Sequence, residues 1–127
     1  MDIQQAKRYL LNKPDTREDY PFGPEVLVPK VKSKMFATLS AENGIGHMNL
    51  KCEPSQAQAL RDLFSAVKPG YHMNKLHWNT IILDGSIPTG EIERMIDHSY
   101  ALVVKKLKKA ERLALELKYG EALLYPE

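Results

Sequence analysis

The tightest constraint on how this chain folds is a change of hydropathic period after residue 29. Val31, Ser33, Met35, Ala37 and Leu39 share one parity, while Lys30, Lys32, Lys34, Phe36 and Thr38 share the other. After Glu42-Asn43-Gly44, Met48, Leu50 and Cys52 alternate with His47, Asn49 and Lys51. A period of two sends successive side chains to opposite faces of a strand, and Asn-Gly tolerates the positive φ of a tight turn. The expectation is a β-hairpin with one apolar face and one polar, basic face, Phe36 lying on the basic one.

Helical spacing surrounds this hairpin. Asp2 to Asn12 reads as a helix: Asp2 is an N-cap, Ile3, Ala6, Tyr9 and Leu10 form a stripe, and Asn12-Lys13-Pro14 supplies the stop. Pro14, Pro21, Pro24 and Pro29 with Gly23 keep the following stretch irregular, apart from a short edge strand near Asp19 to Phe22. Pro54 suits a first helical turn, Ala57, Leu60, Leu63, Phe64 and Val67 form its buried stripe, and Pro69-Gly70 ends it. His77 to Asp84 reads as a strand, with Asp84-Gly85 as a turn. A long helix is predicted from Thr89, with Ile92, Ile96, Ser99, Val103, Leu107 and Ala110 on one face, extending through Ala114 and Leu117 to Gly120. Leu123, Leu124 and Tyr125 then dock on the body or on another copy. The fold class is α+β: a two-layer domain, mostly antiparallel sheet packed on helices.

At 127 residues the chain is the size of one domain, spanning 1–127. With 43% apolar and 27% charged residues it has the mixture of a globular protein. Cys52 is the one cysteine, which excludes an intramolecular disulfide and fits a reducing compartment. No apolar run approaches the ~18 residues that would span a membrane, and the first twenty residues carry acids and no apolar run of signal-peptide type. The expected protein is cytoplasmic, without membrane contact, and a monomer or weak homodimer.

Three features point to binding. Lys30, Lys32 and Lys34 on the basic hairpin face face Lys51 and His47, and residues 30–75 hold seven Lys/Arg against three acids although the whole chain is only +2. Such a face suits a phosphate backbone, with Phe36 as a stacking platform; lysine also keeps an exposed strand soluble, and both readings stand. The segment from Lys68 to Asn79 gathers Tyr71, His72, Asn74, Lys75, His77 and Trp78, a composition suited to polar or nucleic-acid ligands or to holding an irregular turn. On the long helix, Arg94, His98, Lys105, Lys109 and Arg112 fall opposite the apolar stripe. Catalytic motifs are missing: there is no Gly-rich phosphate loop, HExxH, paired cysteine or Gly-x-Ser-x-Gly. A buried Cys52 would be inert, so no enzymatic activity, cofactor or metal is expected.

Lys34-Met35-Phe36, Asn49-Leu50-Lys51-Cys52 with Pro54, Pro69-Gly70-Tyr71-His72-Met73-Asn74-Lys75, His77-Trp78-Asn79-Thr80, Leu83-Asp84-Gly85-Ser86 and His98-Ser99-Tyr100 resemble the MmcQ/YjbR family of small bacterial proteins. With the first helix and Glu18-Asp19-Tyr20-Pro21-Phe22-Gly23, the resemblance covers residues 1 to about 108, leaving 109–127 as a C-terminal helical extension. The resemblance implies a CyaY-like or secretion-chaperone-like fold in the order α-β(3)-α-β(2)-α. It also implies DNA binding through a double-wing arrangement of β-hairpins. Leu76 stands where the family often has lysine and Ala101 where an acid is common. The acidic ridge that iron binding would need is absent.

The functional expectation is a non-catalytic DNA-binding protein. Lys32, Lys34, Lys51 and Lys75 would contact phosphates, and His72, Asn74 and His77 would make further polar contacts. Five phosphate contacts on duplex DNA correspond to a log–log salt slope of about −4.5. The alternatives are a protein-interaction adaptor with a basic, aromatic surface, and a small-ligand or metal site around His72, His77 and Asp84.

Overall fold

The computed structural model describes residues 1–71 and 73–126. Helix α1 (Ile3–Leu11) starts on a reciprocal cap: the Asp2 carboxylate accepts the Gln5 N–H at 2.8 Å, and the Gln5 side-chain oxygen accepts the Asp2 N–H at 2.8 Å. Its Ala6 and Leu10 are fully buried. Strands β1 (Thr16–Asp19), β2 (Val28–Val31) and β3 (Lys34–Met35) form a small antiparallel sheet in the order β1-β2-β3. The edge strand thus lies three residues before the predicted Asp19–Phe22, because Tyr20 to Gly23 closes a turn through Gly23 N–H to the Tyr20 carbonyl.

The predicted single strand from Lys30 to Leu39 is two strands. The chain reverses at Lys32 and Ser33, whose φ values of 48° and 66° form a two-residue hairpin turn between Val31 and Lys34. Lys-Ser carries none of the glycine or asparagine that normally marks such a turn. Phe36 leaves the ladder, and β4 (Ala37–Glu42) pairs with β5 (Ile45–Lys51) around Asn43-Gly44, at φ 53° and 80°, where the turn was expected. The reversal resets the parity. Phe36, placed by alternation on the basic face, is fully buried with its ring edge-on to Tyr100 at 5.2 Å. Lys30, Lys32 and Lys34 therefore share no face with Lys51. On β5 the alternation holds, with Met48 and Leu50 inward and His47 and Asn49 outward, while Lys51 at the strand's end is half-buried beside α3.

Helix α2 (Pro54–Leu63) stops before Pro69-Gly70, and Val67–Pro69 is strand β6. Leu63, predicted in the buried stripe, is exposed because the helix ends on it. Strand β7 (Trp78–Leu83) lies where expected, and the second sheet has the order β4-β5-β7-β6, antiparallel throughout. Leu27 and Leu39 exchange backbone hydrogen bonds of 2.9 and 2.8 Å and join the two sheets.

The predicted long helix is broken. Helix α3 (Thr89–Lys105) ends in tight turns at Lys106 and Leu107, and α4 (Lys109–Tyr119) and the short α5 (Glu121–Leu124) fold back. A straight continuation would stack Lys105, Lys106, Lys108 and Lys109 in adjoining turns, which like charges disfavour. The break instead buries Leu107, Leu115 and Leu124 in the one core. It also takes Lys109 and Arg112 off the face they were expected to share with Arg94 and His98. The α+β class is as expected, with five short strands between α1 and α2 divided between two sheets. No helix among the described residues is long and apolar enough to cross a membrane.

Helix α3 closes the inner face of the larger sheet. The Ser99 hydroxyl, fully buried, donates to the Phe36 carbonyl at 2.6 Å and accepts the Lys51 N–H at 2.9 Å. It thereby bridges two main-chain groups just past the end of the β4–β5 ladder. Lys13, at the exit of α1, pairs with Asp97 at 2.8 Å, and the Tyr9 hydroxyl donates to the same carboxylate. Ser99→Ala would leave a buried donor and a buried acceptor unsatisfied, each worth about 1–3 kcal/mol. Urea unfolding should show a lower midpoint at unchanged slope. An unaltered midpoint would mean water replaces the hydroxyl.

Candidate functional site

The outer face of the larger sheet carries one uninterrupted row of side chains. Thr38, Asn49, Thr80 and Lys68 are successive register partners across β4, β5, β7 and β6, so alternation points them to the same side. Asn49 donates through Nδ2 to Thr38 Oγ1 at 3.0 Å, and Thr80 donates to Asn49 Oδ1 at 2.5 Å. The Tyr71 N–H donates to Thr80 Oγ1 at 3.0 Å, which pins the loop after β6 to this row.

That loop is held rigidly by groups the sequence singled out for ligand contact. Gly70 lies so close to β7 that a Cβ would sit 2.8 Å from Trp78 Cβ, so only glycine fits. The Lys75 ammonium donates to the Gly70 carbonyl at 2.9 Å. Arg61 donates to the Lys75 carbonyl at 2.6 Å and to Asn79 Oδ1 at 2.8 Å. The Asn74 side chain accepts the Leu76 N–H at 2.9 Å, and the His77 carbonyl accepts the Cys52 N–H at 2.7 Å. Asn74, Lys75 and His77 thus all take part in shaping the loop. His72 lies outside the described residues.

What the loop presents is Tyr71, 68% exposed. Facing the same groove is Phe22, 64% exposed, from the turn between β1 and β2. The two rings, with Met73, wall a groove of about 540 Å³ floored by Thr38, Asn49 and Thr80. Sites of this volume with apolar walls and a few convergent polar groups are the usual form of a ligand pocket. Glu42 and His47 also line it, their Oε2 and Nδ1 3.6 Å apart.

The expected cationic face is not gathered here. Lys30 pairs with Asp19 at 2.7 Å and Lys32 with Asp15 at 3.5 Å, in the small sheet and its turn. Lys34 is exposed on β3. Lys51 is half-buried at the end of β5, where burial first and the charge of Lys106 second hold its ammonium below the ordinary lysine value. Arg94 pairs with Glu91 and Arg112 with Glu116. His77 and Asp84 stand at opposite ends of β7, about 23 Å apart by strand rise, too far to share one ion. The Asp84 carboxylate accepts the Ser86 hydroxyl and N–H, which lowers its pKa and makes it a turn residue. Burial pushes the Cys52 thiol up to about 11, leaving it protonated and unreactive.

Sequence reasoning did not single out Thr38 and Thr80, or the pairing of Phe22 with Tyr71. Alternation placed Asn49 outward, but only strand register reveals the row, and only the folded loop brings residues 22 and 71 together.

These features define an α+β domain with helices on one face of its larger sheet and an aromatic-walled groove on the other. The YjbR family model matches residues 11–102, and the chain belongs to that family. It is 35% identical over 109 residues to the uncharacterized protein YbdF of Escherichia coli O157:H7, covering 86% of this chain and 89% of that one. It is 32% identical over 115 residues to the uncharacterized protein YjbR of Escherichia coli strain K12, covering 91% and 98%. The crystal structure of Deinococcus radiodurans protein DR2400, a DUF419 domain, is similar with a TM-score of 0.82 at 35% identity, over 90% of this chain and 87% of that one.

Arg61→Met should release the loop, because the carbonyl of Lys75 and the amide of Asn79 lose their shared donor. Hydrogen exchange at Tyr71 and at Leu76 should accelerate, with little change in α1 or α3. Uniform protection across the loop would show that Lys75 and Gly70 hold it unaided.

Proposed function

We propose that this domain is a non-catalytic DNA-binding protein that takes single-stranded DNA by its unpaired bases in the sheet-face groove. The observation that carries this reading is the pair of exposed rings, Phe22 and Tyr71, lining one groove with a hydrogen-bonding floor. An unstacked base offers a flat face to the rings and polar edges to Thr38 and Asn49. A duplex hides both in its stacked, paired interior. Lys68, at the β6 end of the row, supplies charge for the backbone.

This shifts the binding energy from phosphates to bases, and salt dependence separates the two modes. One phosphate contact on a single strand predicts a log–log slope of about −0.7, against about −4.5 for five contacts on duplex DNA. Fluorescence anisotropy of an oligo(dT) and of a duplex across a salt series is the test. Tyr71→Ala should weaken oligo(dT) binding by roughly ten- to a hundredfold, since base stacking on an aromatic ring contributes ~1–3 kcal/mol. Thermal stability should hold, because the ring is exposed. Absence of oligo(dT) binding at low salt defeats the proposal. A steep slope on duplex DNA, lost on Lys32→Glu with Lys34→Glu, would put the ligand on the hairpin lysines instead.

A further inference from the structure

On the inner side of the sheet, away from the groove, a second cavity of about 140 Å³ lies between α2 and α3. Its apolar walls come from Leu50, Leu60, Ile81 and Met95, and His98 and Arg94 supply polar groups. The His98 Nε2 is buried and has no hydrogen-bond partner among the described residues. An orphaned ring nitrogen in such a place is costly unless a ligand or water meets it. Burial holds the imidazole below its usual pKa, with Glu53 acting against that effect and Lys105 with it, so the ring is neutral at pH 7. Its Nε2 is then a neutral donor in one tautomer.

The cavity continues outward. His98, Arg94 and Gln56 also border a crevice that runs past Lys105 to Tyr125, and the Lys105 ammonium lies 5.1 Å from the Tyr125 ring centre. The acids bordering the two spaces are engaged: Glu91, which lines the inner cavity, with Nη1 of Arg94, and Asp97, in the crevice, with Lys13 and Tyr9. The guanidinium has further donors besides the one Glu91 takes. Lys51 lines the inner cavity too. An apolar chamber therefore opens onto a mouth that carries cations and an unmet imidazole nitrogen.

We infer that this crevice binds a small amphiphilic carboxylate. The tail fills the chamber, and the carboxylate accepts hydrogen bonds from His98 Nε2 and the Arg94 guanidinium. An aliphatic cavity of about 150 Å³ holds a six-carbon ring, so the tail is about five or six carbons long. A bare anion would leave the chamber empty, and a neutral hydrocarbon would leave Nε2 unmet. The site is separate from the sheet-face groove and does not depend on what binds there.

Hexanoate is the probe, with acetate, hexanol and hexylamine as comparators, followed by NMR of the His98 imidazole and by thermal unfolding. Hexanoate should shift the Nε2 signal saturably, raise the His98 pKa and raise the unfolding temperature. Acetate should bind at least about tenfold more weakly, because it buries no tail. Hexylamine should not bind. In His98→Ala, hexanoate affinity should fall by about tenfold while that of hexanol stays. Should that variant fail to fold, the four-ligand series on the unaltered protein decides alone. Equal responses to acetate and hexanoate, or no saturable shift at millimolar concentrations, overturn the inference.

Discussion

A single hydroxyl ties the two layers of this domain together. Ser99 sits on the helix face that alternation of apolar residues had already marked as buried, among Ile92, Ile96 and Val103. A polar group there is tolerable only because both its donor and its acceptor capacity are used, on the carbonyl of Phe36 and the N–H of Lys51. Those two main-chain groups lie where the β4–β5 ladder stops, so the helix completes the sheet's hydrogen bonding. Next to it, Tyr100 packs edge-on against Phe36 and donates its hydroxyl to the Pro14 carbonyl, reaching the end of α1. The depth at which α3 seats against the sheet, and hence the shape of the cavity beside His98, follows from these contacts.

The same geometry separates charge from contact surface. Lys30, Lys32, Lys13, Arg94 and Arg112 each sit within 4 Å of a carboxylate, and Lys75 spends its ammonium on a loop carbonyl. The exposed ones among these pairs add little stability, and all of these cations are tied to places outside the sheet-face groove. In the sheet-face groove the most exposed large side chains are aromatic. The two faces of the larger sheet thus have different characters: outside, rings over a neutral hydrogen-bonding row; inside, an aliphatic chamber with an imidazole and cations at its mouth.

The parts of the fold legible in the sequence were those governed by near neighbours. Asp2 and the stripe from Ile3 to Leu10 announce the first helix, Asn43-Gly44 announces the β4–β5 turn, and the alternation of β5 and the position of β7 are where periodicity put them. The misreadings share one cause. Lys32 and Ser33 take up left-handed φ values that neither residue favours, because Val31 and Phe36 gain burial on either side of the reversal. The turn at Lys106–Lys108 likewise carries no glycine or proline and is made by the burial of Leu107, Leu115 and Leu124. Once the first of these is missed, Phe36 is assigned to the exposed basic face although it belongs to the core.

By itself the sequence determined the α+β class, most of the regular elements and the unusual make-up of the loop from Gly70 to His77, since these rest on local spacing and on residues with special backbone freedom. Tertiary structure alone decided which cations are neutralised, that Phe36 is core, and that Phe22 and Tyr71, far apart along the chain, wall one groove. The physical reason is that strand register and ion pairing are relations between distant segments. They are settled by which arrangement buries the most apolar surface with the fewest unmet polar groups, and no window of neighbouring residues contains that comparison.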